Sequence, residues 1–297
     1  MSDANTTDHT DTTDATDTTD HTDATDHTDT TDATDATDTT AETAHASSDA
    51  ARSPVLSTAG LTKTYENHSV FEGVDIDIAP GAMTAVIGPN GTGKTTLLKT
   101  LLGHIEPTAG SVSYNGPDVD RPMGYLPQEP AFRPQFTAAE TIDFYASLVD
   151  SAVDTDALLQ EVNLSDARDR RVAALSGGMR RLLAVAQAVV GDPPVVCCDE
   201  PASGLDPSMA QRVFGSLAGR ADDGMAVIVT SHTLSLVETY ADHVVILHDG
   251  GVAATGSPAG LCERFDAADL WDVYATVVEP TAADASPAPS ADSGGES

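Results

Sequence analysis

The chain has 297 residues, of which 14 are Lys or Arg and 47 are Asp or Glu, so its formal net charge is −33. An excess of acid on this scale argues against strong binding to the nucleic-acid backbone, and no nucleic-acid partner is expected. No run approaches the roughly eighteen apolar residues of a membrane helix, and the N-terminus has no apolar stretch, so neither a membrane span nor a signal peptide is predicted. We expect a cytoplasmic protein, and its three cysteines suit a reducing compartment.

The two ends of the chain differ in composition from the rest. From Asp8 to Thr40 an Asp-x-Thr triplet repeats, with eleven Asp at three-residue spacing and no large apolar side chain. Such a segment buries nothing and repels itself, which predicts a disordered tail over 1–53; a second tail, rich in Ala, Ser, Pro and Asp, is predicted over 279–297. Weak copper binding is the alternative to a plain solvated N-terminal tail, through its histidines His9, His21, His27 and His45.

The acidity also belongs to the part between the tails, 54–278, which we expect to fold as one domain. The first fifty residues hold 14 acids and no Lys or Arg, so the remainder still carries 14 minus 33, or −19. The chain has three lysines, Lys63, Lys94 and Lys99. Abundant Asp with scarce Lys resembles proteins of halophilic archaea, in which molar salt shortens the Debye length to about 3 Å and screens this repulsion.

Apolar runs predict strands and helices in chain order. Predicted strands cover Val55–Leu61, Val70–Ile78, Met83–Ile87, Ser111–Tyr114, Met123–Leu126, Val195–Cys198, Ala226–Thr230 and Val244–Leu247. Helical spacing is found over Thr95–Leu102, after Thr137, around Leu158 and from Leu270 to Val277. We therefore predict an α/β protein whose mainly parallel sheet is interrupted by a helical subdomain at about 135–190.

A glycine-rich loop follows the predicted strand Met83–Ile87 and leads into a predicted helix. Its sequence GPNGTGKTT comprises Gly88, Pro89, Asn90, Gly91, Thr92, Gly93, Lys94, Thr95 and Thr96. Strand, glycine loop and helix are what a phosphate-binding loop requires, because backbone N–H groups then close on the phosphates of a nucleotide. Lys94 can reach the β and γ oxygens, and the Thr95 hydroxyl can ligate Mg²⁺. The sequence thus predicts an ATP site.

Two further motifs follow this loop. In VVCCDEP a buried strand delivers Asp199 beside the metal, and the adjacent Glu200 is placed to orient or deprotonate water. The alternative is a surface acid pair after a core strand. Between the two motifs lies Leu175-Ser176-Gly177-Gly178-Met179. The three motifs in this order indicate an ATPase.

Together these motifs make the span from about Val55 to Val278 resemble the ATP-binding subunit of an ATP-binding cassette (ABC) transporter. The resemblance implies a P-loop core with an antiparallel β subdomain and an inserted helical subdomain. It implies that Tyr65 stacks on adenine, that Gln128 contacts Mg²⁺ and water, and that His232 contacts the γ-phosphate. It further implies a homodimer, in which the second subunit binds across the nucleotide through Ser176, Gly177, Gly178 and Asp206.

The same resemblance implies a partner and a location. Two cassettes close around two ATP and drive a separately encoded multi-spanning permease, so the protein is expected on the inner face of the membrane. The stretches after the Gln128 loop and at the C-terminus resemble export-type cassettes. Within that group, the stretches YLPQEPAFRPQFTAAET and SHTLSLVE resemble cassettes that serve nitrous-oxide reductase maturation, a copper-site assembly system. A soluble ATPase of iron–sulfur assembly is the alternative. Met179 departs from the family pattern, in which Gln is usual.

Overall fold

A computed structural model describes residues 53–66, 68–149 and 152–278, all within one unit, Asp49–Ser297. The predicted tails therefore lie outside the described residues, apart from Ser53. The strands are β1 Leu56–Tyr65, β2 His68–Val74, β3 Asp77–Ile78, β4 Met83–Ile87, β5 Ala109–Tyr114, β6 Met123–Leu126, β7 Val195–Cys198, β8 Ala226–Thr230, β9 His243–His248 and β10 Gly251–Gly256. The α-helices are α1 Lys94–Leu101, α2 Ala138–Ala146, α3 Thr155–Glu161, α4 Gly177–Ala188, α5 Pro207–Asp222, α6 Leu234–Tyr240, α7 Pro258–Phe265 and α8 Leu270–Val278.

The larger sheet has the strand order β10-β9-β4-β8-β7-β6 among the described residues. Every pairing in it is parallel except that of β10 with β9. The central strands β4, β7 and β8 are buried along their whole length, which explains why they read as continuous apolar runs. Because their carboxyl ends meet at one edge, the residues that follow these three strands are neighbours in space.

The smaller sheet is antiparallel and forms around β1, which pairs with β2, β3 and β5. The single strand predicted over Val70–Ile78 is divided into β2 and β3. The Thr58 hydroxyl explains the division, since it donates to the Val74 carbonyl at 2.8 Å and accepts the Ile76 N–H at 2.9 Å. A side chain thus takes up backbone groups that a continuous ladder would have used.

Between β6 and β7 the chain is helical. The predicted cap at Thr137 is present as a reciprocal capping box with Glu140, which satisfies N–H groups at the start of α2. Ile142 of α2, Leu158 of α3 and Leu182 of α4 are buried in one apolar cluster that also includes Val196 of the sheet. The predicted packing of the C-terminal helix is confirmed, because Leu270 and Val273 of α8 are buried in the same cluster. None of the helices in the described ranges is long and apolar enough to cross a membrane.

Candidate active site

The loop from Gly88 to Thr96 connects β4 to α1 at the carboxyl edge of the parallel sheet. A Cβ at Gly88 would lie 2.3 Å from the Leu247 carbonyl oxygen, so only glycine fits there. Gly93, the N-cap of α1, has φ of 90° and leaves the first N–H groups of the helix without a side-chain cap. Unpaired N–H groups at a helix start, together with the helix dipole, form a binding site for an anion such as phosphate.

Lys94 lies inside this loop, with 6% of its surface exposed. Its Nζ donates to the carbonyl oxygens of Gly88 at 2.8 Å and Pro89 at 2.9 Å. Burial lowers the pKa of Lys94, whereas the neighbouring carboxylates of Glu200 and Asp199 act to raise it. The loop carbonyls therefore hold the ammonium group at the place where the sequence predicts phosphate.

Asp199 follows β7 and is buried, with 2% exposure. Its Oδ1 accepts two hydroxyl hydrogen bonds, from Thr95 at 3.0 Å and from Thr230 at 2.8 Å. Two hydroxyls on one carboxylate oxygen leave Oδ2 and the lone pairs of Thr95 available to another partner. Hydroxyl and carboxylate oxygens are the hard ligands that Mg²⁺ takes in nucleotide sites, so this donor set fits the predicted metal.

Glu200 has both carboxylate oxygens engaged. His232 Nε2 lies 2.6 Å from Oε1, and Gln128 Nε2 donates to Oε2 at 3.2 Å. The backbone of Glu200 is left-handed, with φ of 47°, which is uncommon for a residue with a Cβ. The structure thus joins Glu200, which was predicted from its own motif, to Gln128 and His232, which the resemblance had implied separately. We call Lys94, Thr95, Gln128, Asp199, Glu200 and His232 the cleft cluster.

Four members of the cleft cluster, Lys94, Thr95, Gln128 and Glu200, line an open cleft of about 440 Å³. Asp199 and His232 are outside this lining and are joined to it through Thr95 and Glu200. This cleft is lined by His68, Val70, Asn90, Gly91, Gly93, Lys94, Thr95, Thr96, Gln128 and Glu200. Gly88, Pro89 and Thr92 shape the loop behind it, where the Thr92 hydroxyl donates to the Pro89 carbonyl at 2.9 Å. His68 and Val70 were not predicted, because nothing in the residue types of β2 distinguishes them from its other exposed and half-buried residues.

The structure places Ser176 and Asp206 outside the lining of this cleft. Ser176 caps α4, and its Oγ accepts the Met179 N–H at 3.2 Å. Asp206 caps α5, where hydrogen bonds from the Ser208 hydroxyl and the Met209 N–H lower the pKa of its carboxyl group. We call Ser176 and Asp206 the helix-end pair.

The glycines beside Ser176 begin α4. A Cβ at Gly178 would lie 2.5 Å from Met209 Cγ of α5, whereas one at Gly177 would meet nothing within 4 Å. Gly178 is therefore needed for close packing of two helices, and Gly177 is open on its outer side. Met179, where the family usually has Gln, has its sulfur 3.9 Å from Arg170 Nη1.

Tyr65 is 48% exposed at the end of β1 and does not line the cleft. Lys63 Nζ lies 4.8 Å from the centre of its ring and makes a cation–π contact with one face of it. Its neighbour across the turn is His68, which pairs with Tyr65 in the β1–β2 ladder and does line the cleft. The predicted adenine platform is thus beside the cleft without forming part of its wall.

Arg181 of α4 was not predicted, although it lies five positions after Ser176 and two after the end of the Leu175–Met179 motif. It is 8% exposed, and its Nη1 donates to the Pro127 carbonyl at 3.1 Å. Burial lowers the pKa of Arg181, and the nearby carboxylates of Glu200 and Asp199 act to raise it. This hydrogen bond connects α4, the helix that Ser176 caps, to Pro127, the residue before Gln128.

Comparison with known proteins gives one consistent family. Residues 71–203 match the sequence model of the ABC transporter family. A protein named Nod factor export ATP-binding protein I, from Cupriavidus metallidurans, is 31% identical over 238 residues, which cover 76% of this chain and 78% of that protein. Both matches include the glycine loop and the Asp199–Glu200 pair.

Solved structures agree. The structure of the ATP binding subunit of an ABC transporter has a TM-score of 0.66 and 28% identity, covering 75% of this chain and 99% of that one. A dimeric, post-hydrolysis ATP-binding cassette with ADP and Pi has a TM-score of 0.60 at 23% identity, covering 68% of this chain and 98% of that one, and supports the fold alone. The predicted fold class, a P-loop core of the ABC type with a mainly parallel sheet, is confirmed.

Proposed function

This chain belongs to the ABC transporter family as an ATP-binding ATPase subunit, and from that premise we propose that two copies close around two ATP molecules to drive a separately encoded membrane permease. One observation carries the proposal: Lys94, Thr95, Gln128 and Glu200 line the cleft, whereas Ser176 and Asp206 lie outside its lining and cap the helices that they precede. A second copy supplies Ser176, Gly177, Gly178 and Asp206 to the nucleotide held by the first. Two-fold pairing of identical chains makes both sites complete at once.

Within one chain the residues divide the work on ATP. Lys94 and the N–H groups at the start of α1 bind the phosphates, and Thr95, Asp199 and Gln128 would hold Mg²⁺. When bound, Mg²⁺ neutralises charge that develops on the transferred phosphoryl group. Glu200 orients the attacking water and takes its proton, while Gln128 and His232 keep its two oxygens in place. Tyr65 stacks on the base, and His232 also meets the γ-phosphate.

The surface beside Gln128 suits a membrane partner. A groove of about 360 Å³ is lined by the segment Ala131–Phe136 together with Thr141, Phe144 and Tyr145. Arg133 lies over the rings of Phe136 and Phe144, at 5.0 and 4.2 Å from their centres. We propose that a cytoplasmic helix of the permease docks here, a short distance along the chain from the Gln128 loop. Binding of this kind places the protein on the inner face of the membrane.

The names of the relatives support one direction of transport. The similar proteins are named for export, which favours an export-type permease over an importer. Within this class, the stretch from Tyr125 to Thr141 resembles cassettes that serve nitrous-oxide reductase maturation. We therefore propose copper-site assembly as the first transport function to test.

Purification from the native host tests the partnership. The tagged chain, extracted from membranes in detergent, is expected to carry a multi-spanning permease with it. Mutation of Phe136 and Phe144 to Ser should release the permease while leaving basal ATP hydrolysis intact, because these residues lie outside the cleft lining. Recovery with soluble iron–sulfur assembly proteins, and no membrane association, would favour the soluble-ATPase alternative.

A further inference from the structure

Thr230 is a fully buried hydroxyl between the two acids of the active site. It is the last residue of β8, with 0% exposure. Its Oγ1 lies 2.8 Å from the Glu200 backbone nitrogen and 2.8 Å from Asp199 Oδ1. A backbone N–H can only donate and a carboxylate can only accept, so the hydroxyl accepts from Glu200 and donates to Asp199. One side chain therefore contacts both acids.

The two hydrogen bonds of Thr230 hold the left-handed backbone of Glu200 and the carboxylate of Asp199 in place. Glu200 has φ of 47°, a backbone conformation that a residue with a Cβ adopts at a cost. Its N–H is held by Thr230, and its carbonyl accepts the Ser203 N–H at 3.1 Å. Asp199 shares its Oδ1 between Thr230 and Thr95, so the Thr230 bond limits rotation of the carboxylate. Loss of the hydroxyl would free both groups together.

We propose that Thr230 is a positioning residue whose hydroxyl sets the orientation of the Asp199 carboxylate and the backbone of Glu200. The inference rests on the proposed function, in which these acids hold Mg²⁺ and activate water. Thr230 does not line the cleft, so it acts on ATP hydrolysis through the two acids. Position 230 in the parallel sheet needs a buried, β-branched residue, a need that valine meets as well as threonine.

Thr230→Val is the direct test, because it keeps the shape of the side chain and removes the hydroxyl. We expect kcat for ATP hydrolysis to fall by about 10- to 100-fold, as for other supporting partners of metal and catalytic ligands. KM for ATP should stay within about threefold, because Lys94 and the glycine loop are unchanged. Nucleotide binding without catalysis gives a second readout: Mg²⁺ should strengthen ATP binding less in Thr230→Val than in the parent, with Mg²⁺-free binding equal in both.

Two variants separate positioning from general destabilisation. Thr230→Ser restores the hydroxyl and should recover most of kcat. Thr58→Val removes a hydroxyl that makes the same kind of bonds, one accepted N–H and one donation, at 8% exposure in the antiparallel sheet. It should lower the melting temperature without changing kcat. Every rate is expressed per ATP-binding site, so that unfolded protein does not count, and Thr230→Ala replaces Thr230→Val if the latter does not fold.

The outcomes distinguish this inference from the proposed function. Glu200→Gln is measured beside the Thr230 variants. If Glu200→Gln loses turnover while Thr230→Val keeps kcat within about threefold of the parent, the positioning role is overturned and the proposed function stands. An equal loss of kcat in Thr58→Val, or no recovery in Thr230→Ser, also overturns it. Retained turnover in Glu200→Gln removes the proposed role of Glu200 and this inference with it.

Discussion

The cleft cluster and the helix-end pair are built in different ways. Within the cleft cluster, Thr95 of α1 contacts Asp199 after β7, and Gln128 and His232 contact Glu200, so residues distant in the sequence hold one another. Ser176 and Asp206 instead use their side chains to cap the helices that they begin. One half of the proposed site is thus assembled within a single chain. The other half uses bonds to residues three positions away in the same chain, so these bonds need no second copy.

Of the changes considered, Glu200→Gln should have the largest effect on ATP hydrolysis. The amide keeps the size of the side chain but cannot take a proton, so turnover should fall by about 10²- to 10⁴-fold. Asp199 and Thr95 are untouched, so ATP should still bind, and the ATP-bound dimer should accumulate. Steady-state hydrolysis and size-exclusion chromatography with ATP measure the two effects. Turnover within tenfold of the parent would contradict the role given to the cleft cluster.

Ser176→Asp tests the other half of the site. Aspartate caps a helix as well as serine does, so α4 should fold normally, but its charge would face the γ-phosphate held by the second copy. Like charges placed together cost several kcal/mol, so dimerisation with ATP and hydrolysis should fall by about 100-fold or more. Each monomer should bind ATP with its normal affinity, because its own loop is intact.

Ser176→Asn is the matched control for that variant. Asparagine also caps the helix and carries no charge, so its loss of hydrolysis should be much smaller than that of Ser176→Asp. Dimerisation, hydrolysis and the binding of a fluorescent ATP analogue are compared in the two variants. Equal activity of the two variants would show that Ser176 does not meet phosphate.

Lys94→Ala should weaken nucleotide binding itself, in contrast to the two changes above. A hydrogen bond to a charged group contributes about 1.5–3 kcal/mol, so affinity for ATP should fall by roughly 10- to 100-fold. Lys99→Ala removes the same charge from the last turn of the same helix and should leave affinity nearly unchanged. Titration of a fluorescent ATP analogue compares the two. Similar losses would indicate a general charge effect instead of direct contact.

Of the changes considered, added salt should alter the cleft cluster least. Its main effect should be on the stability of the fold. The residues after the first fifty carry −19, and this repulsion is screened as ionic strength rises. The melting temperature should increase by roughly 5 °C or more between 0.1 and 3 M KCl. Sucrose, which adds no ions, should raise it less at equal osmolality. A melting temperature that does not rise with KCl would contradict the comparison with halophilic proteins.

Strand prediction succeeded where burial is uniform and failed where a side chain intervenes. The predicted bounds of β4, β7 and β8 are those observed, because a buried parallel strand requires a continuous apolar run. Those of β6 also match, although this strand alternates between half-buried and buried residues. The run Val70–Ile78 looked equally continuous, yet Thr58, twelve positions before it, divides it. A hydroxyl that acts at this distance leaves no trace in the local pattern.

The residue types and spacing of the motifs were sufficient to identify the glycine loop, the Asp199–Glu200 pair and the Leu175–Met179 motif that contains Ser176. Such motifs are local: each needs a few neighbouring residues with a particular backbone and charge. The mutual contacts were not local. That Thr230 bridges Asp199 and Glu200, and that Gln128 and His232 hold opposite oxygens of one carboxylate, depend on which strands are neighbours in the sheet. Strand order is set by the packing of the whole core, so only the tertiary structure could decide these contacts.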